Sequence, residues 1–336
     1  MRRSLQLAPA SSATATDSRR LRSQYQQQFG HVFSARRADG HLVGGKSVGT
    51  GTLPGSSVVT PDGRFLFVSN AADGTISRFH LDGKGGIQSA GSAIPLTNPS
   101  AKPWDLAIAP SGKFLYVGTS PSAVEAFRVD TQTGDLESLA DSPFPVTSQG
   151  AILALTHSGQ FLYTTWNDTD AISISSVDTL TAALTPLSTG AVHTGFTLKG
   201  LAVDPTDKYL FATTDTSEKL LVYNIQASGS LEESPSSRLQ SGYMTQGPVF
   251  APNGRFVYVA DPFFDNGILA YVLNPVTGAV TPVAGSPFHD GQTPSSVAVS
   301  PSSKFLVVSR INPGHLALYS IDSAKWRIGI DFRPRF

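Results

Sequence analysis

The sequence predicts an all-β fold: a β-propeller of four-stranded antiparallel blades, of the seven-bladed type with one blade incomplete. Three observations carry this reading. The phrase "PDGRFLFVSN" at 61 returns as "PSGKFLYVGT" at 110, "HSGQFLYTTW" at 157, "PTDKYLFATT" at 205, "PNGRFVYVAD" at 252 and "PSSKFLVVSR" at 301. A second series, from "TISRFHLD" at 75 through "AVEAFRVD", "AISISSVD", "KLLVYNIQ" and "GILAYVLN" to "HLALYSID" at 315, recurs every 48 residues. A fixed period of this length marks a repeat architecture. Finally, the runs are short, apolar and aromatic, with Pro-Ser-Gly or Thr-Gly between them, and none shows a capped 3.6-residue period. Four strands per repeat is a propeller blade. A β-sandwich would leave six near-identical units unexplained.

Residues 1–30 are polar, rich in Arg, Gln and Ser and without periodicity, so they read as a disordered lead-in to a propeller at 31–336. "HVFSARRADGHLVGGKSV" at 31 then matches the outer half of a blade, Phe33 standing for Phe79 and Asp39-Gly40 for Asp82-Gly83. Six units follow. In each, a strand such as "WDLAIA" leads through the Pro-x-Gly turn into the repeated phrase. A third strand, "AVEAFRVD", turns at "DTQTGDL" into a weaker fourth that ends in "DSPFPV" or "GSPFHD". The aromatic four residues after each anchor (Phe65, Phe114, Phe161, Tyr209, Phe256, Phe305) is expected between blades, with Leu66 and its equivalents on the other face. The tail "SAKWRIGIDFRPRF" departs from the repeated text, and the inner two strands of a seventh blade are missing at both ends.

Composition limits the function classes. With 25 Lys plus Arg against 25 Asp plus Glu, there is no net field to gather nucleic acid or anionic lipid. Without cysteine there is no thiol nucleophile or Cys-based zinc site. No apolar run reaches the ~18 residues of a membrane span, and "MRRSLQLAPASSATA" lacks an apolar leader core, so a cytoplasmic monomer is expected. "DGKGG" at 82 is a hairpin turn rather than a phosphate loop, and no Gly-x-Ser-x-Gly phrase occurs.

The repeats, of form P-x-G-[KR]-F-[LV]-[YF]-V with "GSPF" and "D-x-x-T-G-x-L" between them, resemble the seven-bladed lactonase family, typified by the bacterial 6-phosphogluconolactonase propeller. The likeness covers about residues 31–322. It implies hydrolysis of a sugar lactone at one mouth of the central channel, with neither a metal nor a nucleotide cofactor. The family's active members lead into an innermost strand with a Pro-His-x-His-type phrase. The six equivalent segments here, "LPGSSVVT", "KPWDLAIA", "QGAILALT", "LKGLAVD", "QGPVFA" and "TPSSVAVS", contain no histidine.

The site is therefore sought in the positions that vary between repeats. One ring lies six residues before each anchor: Gly55, Trp104, Ala151, Lys199, Gln246 and Ser295, with Lys102, Asp105, Gln149 and Gln292 nearby. A second ends the repeated phrase: Asn70, Thr119, Trp166, Thr214, Asp261 and Arg310. Lactone hydrolysis needs a base for water and donors for the oxyanion. The catalytic candidates are Asp105 or Asp261 as base, with Lys199 and Arg310 as cationic donors. The ligand-binding candidates are Lys102, Trp104, Gln149, Trp166, Gln246 and Asn70, the tryptophans suited to stacking on a sugar ring. The alternative is a non-enzymatic propeller that binds a protein or glycan through the same loops.

Overall fold

The computed structural model describes residues 31–330 except 39–40, 84–85, 122, 147–150, 167–168, 216, 242–246, 263–266, 290–292, 311–315 and 323–326. The lead-in at 1–30, Gln149 and Gln246 lie outside these residues, and so does the final part of the tail. Six antiparallel sheets follow one another along the chain, each with its strands in sequential order. Their first strands begin at Pro54, Lys102, Ile152, Leu198, Val249 and Pro294, which we number blades 1 to 6. Blade 2 shows the plan: Lys102–Ile108, Phe114–Ser120, Ala123–Val129 and Leu136–Ser138, with Phe144–Pro145 returning to the third strand.

The expected fourth strand is thus split in two, and a side chain bridges the split. Ser142 Oγ accepts from Ala126 N at 3.0 Å, Ser237 Oγ from Val222 N at 3.0 Å and Ser286 Oγ from Ala270 N at 2.9 Å. The serine of "DSPF" and "GSPF", and Ser237 of "SSRL" at 236, therefore supplies the acceptor that a continuous strand would have offered. The tail, which reads as a departure from the repeat, contributes a regular fourth strand to blade 6: Arg327–Ile330 pairs with Tyr319–Asp322.

Alternation along the second strand builds the core between blades. Phe65 and Phe67 cluster with Leu106, Leu115, Val117 and Phe127 of blade 2, whereas Leu66 and Val68 face the other way. The same arrangement joins each later pair. It also explains the glycine of the Thr-Gly turn. Gly134 has φ +75°, and a Cβ there would lie 2.5 Å from Phe65 of the preceding blade. Gly278 stands in the same relation to Tyr209, at 2.7 Å. Gly134 and Gly278 thus combine a left-handed backbone with an aromatic underneath, and at the equivalent place in blade 3 Ala182, φ +66°, packs in the cluster that holds Phe114.

Upstream of blade 1, His31–Ala38 and His41–Gly49 pair as a separate hairpin. Val48 packs against Leu66, Val68, Phe79, Leu81 and Ile87, the flank of blade 1 turned away from blade 2. The half unit therefore stands where a preceding blade would stand.

Candidate active site at the channel mouth

Each first strand begins where its second strand ends, since Lys102 pairs with Ser120. The connections between blades and the turns joining second to third strands consequently share one end of the ring. At that end the first strand is bulged. The ladder slips between Pro54 and Ser57, between Pro103 and Asp105, between Leu198 and Gly200, and between Pro294 and Ser296. The residues left out of register include Gly55, Trp104, Lys199 and Ser295, four members of the first variable ring. A β-bulge frees a residue from ladder pairing and re-aims its side chain, and bulges are common beside active sites. Sequence reading found these positions through their variability but missed the bulge. The available signal was a Pro immediately before the variable residue at 54, 103 and 294, which withholds a backbone donor from the ladder.

The bulges touch around the ring. A Cβ on Gly55 would lie 2.9 Å from the carbonyl oxygen of Trp104, and one on Gly200 would land on the Cα of Gly247 in blade 5. Trp104 reaches the other way, to Trp166 at the end of the second strand of blade 3. Their ring centroids are 6.1 Å apart with planes at 63°. Trp104 and Trp166 are both half-buried, and Trp104 Nε1 is covered with no acceptor among the described residues. Lys102, two residues away, is exposed.

Asp105 lies inside this structure as a junction of three blades. Its Oδ1 accepts from Ser56 Oγ of blade 1 at 2.7 Å and from Leu106 N at 2.9 Å. Its Oδ2 accepts from Leu153 N of blade 3 at 2.9 Å. Burial lifts its pKa to about 6 although all three hydrogen bonds pull it down. Lys199 Nζ lies 3.9 Å from Asp215 Oδ1, both side chains being mostly buried.

The second ring is more buried than its variability suggested. Asn70 is fully buried, its Oδ1 accepting from Gly51 N and its Nδ2 donating to Thr75 and Ser77, so it closes the turn into the third strand. Thr119 and Thr214 bond the same turn in their own blades. Asp261 is buried, and its charge raises the pKa of Tyr271 after burial has done so. Arg310 is 2 % exposed and donates to Tyr319 Oη at 3.2 Å. The structure thus brings Trp104 and Trp166 together and joins Asp105 to the base of the Trp104 bulge. It engages Lys199 with a residue of its own blade.

A cavity of about 170 Å³ opens at the opposite end, between the first turns of blades 1 and 2. It is lined by Thr60, Pro61, Asp62, Phe65, Ser111, Gly112 and Thr131, residues of the repeated turn text and its neighbours. Nothing varies there in a way that suggests a ligand.

Residues 45–149, 139–245 and 249–329 match the family described as "Lactonase, 7-bladed beta-propeller". The chain belongs to this family. It is 25% identical over 232 residues to the 6-phosphogluconolactonase of Pectobacterium atrosepticum, a match that spans 64% of this chain and 66% of that protein. The periplasmic gluconolactonase PpgL of Pseudomonas aeruginosa superposes with a TM-score of 0.75 at 18% identity, covering 92% of this chain and 93% of the other. A candidate 6-phosphogluconolactonase of Bacteroides uniformis gives 0.75 at 16% identity, with 89% and 90% covered. At these identities the two structures speak for the fold alone. Among the described residues no helix is long and apolar enough to cross a membrane.

Proposed function

We propose that this lactonase-family propeller hydrolyses a sugar lactone at the bulged mouth of its channel. The observation that carries the reading is the Trp104–Trp166 corner, set among bulges where backbone and side chains are free of ladder pairing. In this reading water adds to the lactone carbonyl carbon, the ring C–O bond breaks, and the ring oxygen takes up a proton to leave an open-chain hydroxy acid. The tryptophans hold the sugar; Gln149 and Gln246, ligand candidates by sequence, lie outside the described residues. Lys102, the exposed cation at this corner, faces the developing negative charge, and Asp261 accepts the proton from water. Asp105, surrounded by three donors, acts as a positioning residue that holds the Trp104 bulge. We further propose that the ring is of the seven-bladed kind, with the hairpin His31–Gly49 supplying the outer strands of the seventh blade.

The test is acid release from D-glucono-1,5-lactone in a pH-stat, set against the spontaneous rate. Hydrolysis well above background, lost in Trp104→Ala and in Asp261→Asn with the fold intact, supports the reading. A second reading, a non-catalytic glycan binder, is favoured by the occupied Asp105 carboxylate. It predicts saturable sugar binding at the same tryptophans with no acceleration of hydrolysis.

A further inference from the structure

We infer that the ligand of this mouth is a neutral, unphosphorylated sugar lactone, seated against Trp104 and Trp166. This rests on the preceding proposal that the mouth binds a sugar lactone, and it concerns the charge of that ligand. A phosphate ester carries close to two negative charges at neutral pH and is held in proteins by convergent cations or by clustered backbone N–H groups. The mouth does not offer the first. Its turns between second and third strands carry four carboxylates among the described residues, Asp73, Asp170, Asp215 and Glu218, and no Lys or Arg.

Two of the four cations that reach this end are engaged. Lys199 faces Asp215, and Arg310 is buried beside Tyr319. Lys219 adjoins Glu218 in the chain, and Lys102 alone is exposed next to the aromatic corner. The opposite end differs in this respect. There the residue after the turn's left-handed position, which is Gly63, Gly112, Asp207, Gly254 or Ser303, is basic in five of six blades: Arg64, Lys113, Lys208, Arg255 and Lys304. The chain thus places regular basic positions on its turn face and leaves the mouth turns acidic.

The aromatic corner suits an uncharged sugar. The C–H face of a pyranose-like ring is apolar and packs on indole, while its hydroxyls seek hydrogen bonds. Among the described residues Trp104 Nε1–H is a covered donor without an acceptor, and such a group is costly until one is provided. A ring hydroxyl oxygen arriving beside the indole supplies that acceptor. Trp166 meets Trp104 edge-on, with the two planes at 63°.

The experiment compares D-glucono-1,5-lactone with its 6-phosphate in hydrolysis by the full chain. In parallel, calorimetry measures binding of the non-hydrolysable D-glucono-1,5-lactam with and without a 6-phosphate. The expected result is a kcat/KM at least tenfold higher for the neutral lactone, with tighter binding of the neutral lactam. Trp104→Phe, which keeps the ring and removes the N–H, should weaken neutral lactam binding severalfold, and Trp104→Ala more. A preference for either phosphorylated compound overturns the inference and leaves the lactone reading standing. Neutral lactam binding without hydrolysis removes the enzyme and keeps the neutral ligand. Binding of neither lactam, with no hydrolysis of either lactone, overturns both.

Discussion

His157 and Asp207 replace, in neighbouring blades, the proline and the glycine of the repeated turn, and they bond to each other. His157 N donates to Asp207 Oδ1 at 2.6 Å, Ser158 N donates to Oδ2 at 2.7 Å, and the imidazole Nδ1 lies 3.4 Å from Oδ1. Elsewhere the turn glycine rests on the preceding proline ring, as Gly112 does on Pro61 and Gly254 on Pro205. The backbone N–H that proline lacks is the one that Asp207 caps, so the two departures from the repeat form one matched exchange.

A double-mutant cycle tests this exchange. His157→Pro and Asp207→Gly are each expected to lower stability by about 1–2 kcal/mol. The double variant, which restores the repeat's own pairing, should lose clearly less than their sum. Urea unfolding of the four proteins measures it, and simple additivity would sink the idea.

The same carboxylate makes a prediction about acid. Asp207 is held below the ordinary carboxylate pKa by bonds to His157 and Ser158 that outweigh its desolvation. Its contribution is therefore present above the unfolded value of about 3.9 and is lost as pH falls through the lower folded value. Asp207→Gly should lose less stability than the parent over that acid range, as read from unfolding midpoints against pH.

Asp105 has the opposite sign. With a folded pKa near 6 against 3.8 as its ordinary value, the native state binds the extra proton between those two values. Stability from this group falls as pH rises through that interval, by roughly 3 kcal/mol at most. Asp105→Asn abolishes that slope while placing an amide donor against one of three donors, so it is expected to be less stable than the parent at pH 4. Ser56→Ala removes a donor and should move the slope to higher pH.

Two glycines separate backbone strain from crowding. Gly190 has φ +74° with open space around it, whereas Gly134 has φ +75° with Phe65 where a side chain would go. Gly190→Ala should cost about 1–2 kcal/mol for the left-handed backbone alone. Gly134→Ala should cost a further 1–3 kcal/mol, approximately, for the overpacked ring. Equal losses in thermal unfolding would refute the packing role given to the Thr-Gly turn.

Much of the fold could be read from the chain because its repeated letters do repeated work. A period of 48 residues, an aromatic at one offset and a glycine at another reflect one packing solution used between every pair of blades. The site was harder to read. Trp104 and Trp166 stand 62 positions apart by number and meet only because a bulge in blade 2 turns toward the end of a strand in blade 3. Asn70 varies between copies for a local reason, its amide tying a turn whose other residues vary too. Asp105 reads as a candidate base from its place at the mouth, and its hydrogen-bonding role was not legible. Its three donors come from Ser56, Leu106 and Leu153, and two of these belong to other repeats that no single unit reveals.

The out-of-register residue at the start of four inner strands has a consequence for divergence. Because Trp104, Lys199 and Ser295 sit outside the ladder, exchanging one of them breaks no strand pairing. Four such sockets around one opening let a lineage change its chemical vocabulary one letter at a time. The scaffold need not be rewritten when the message is.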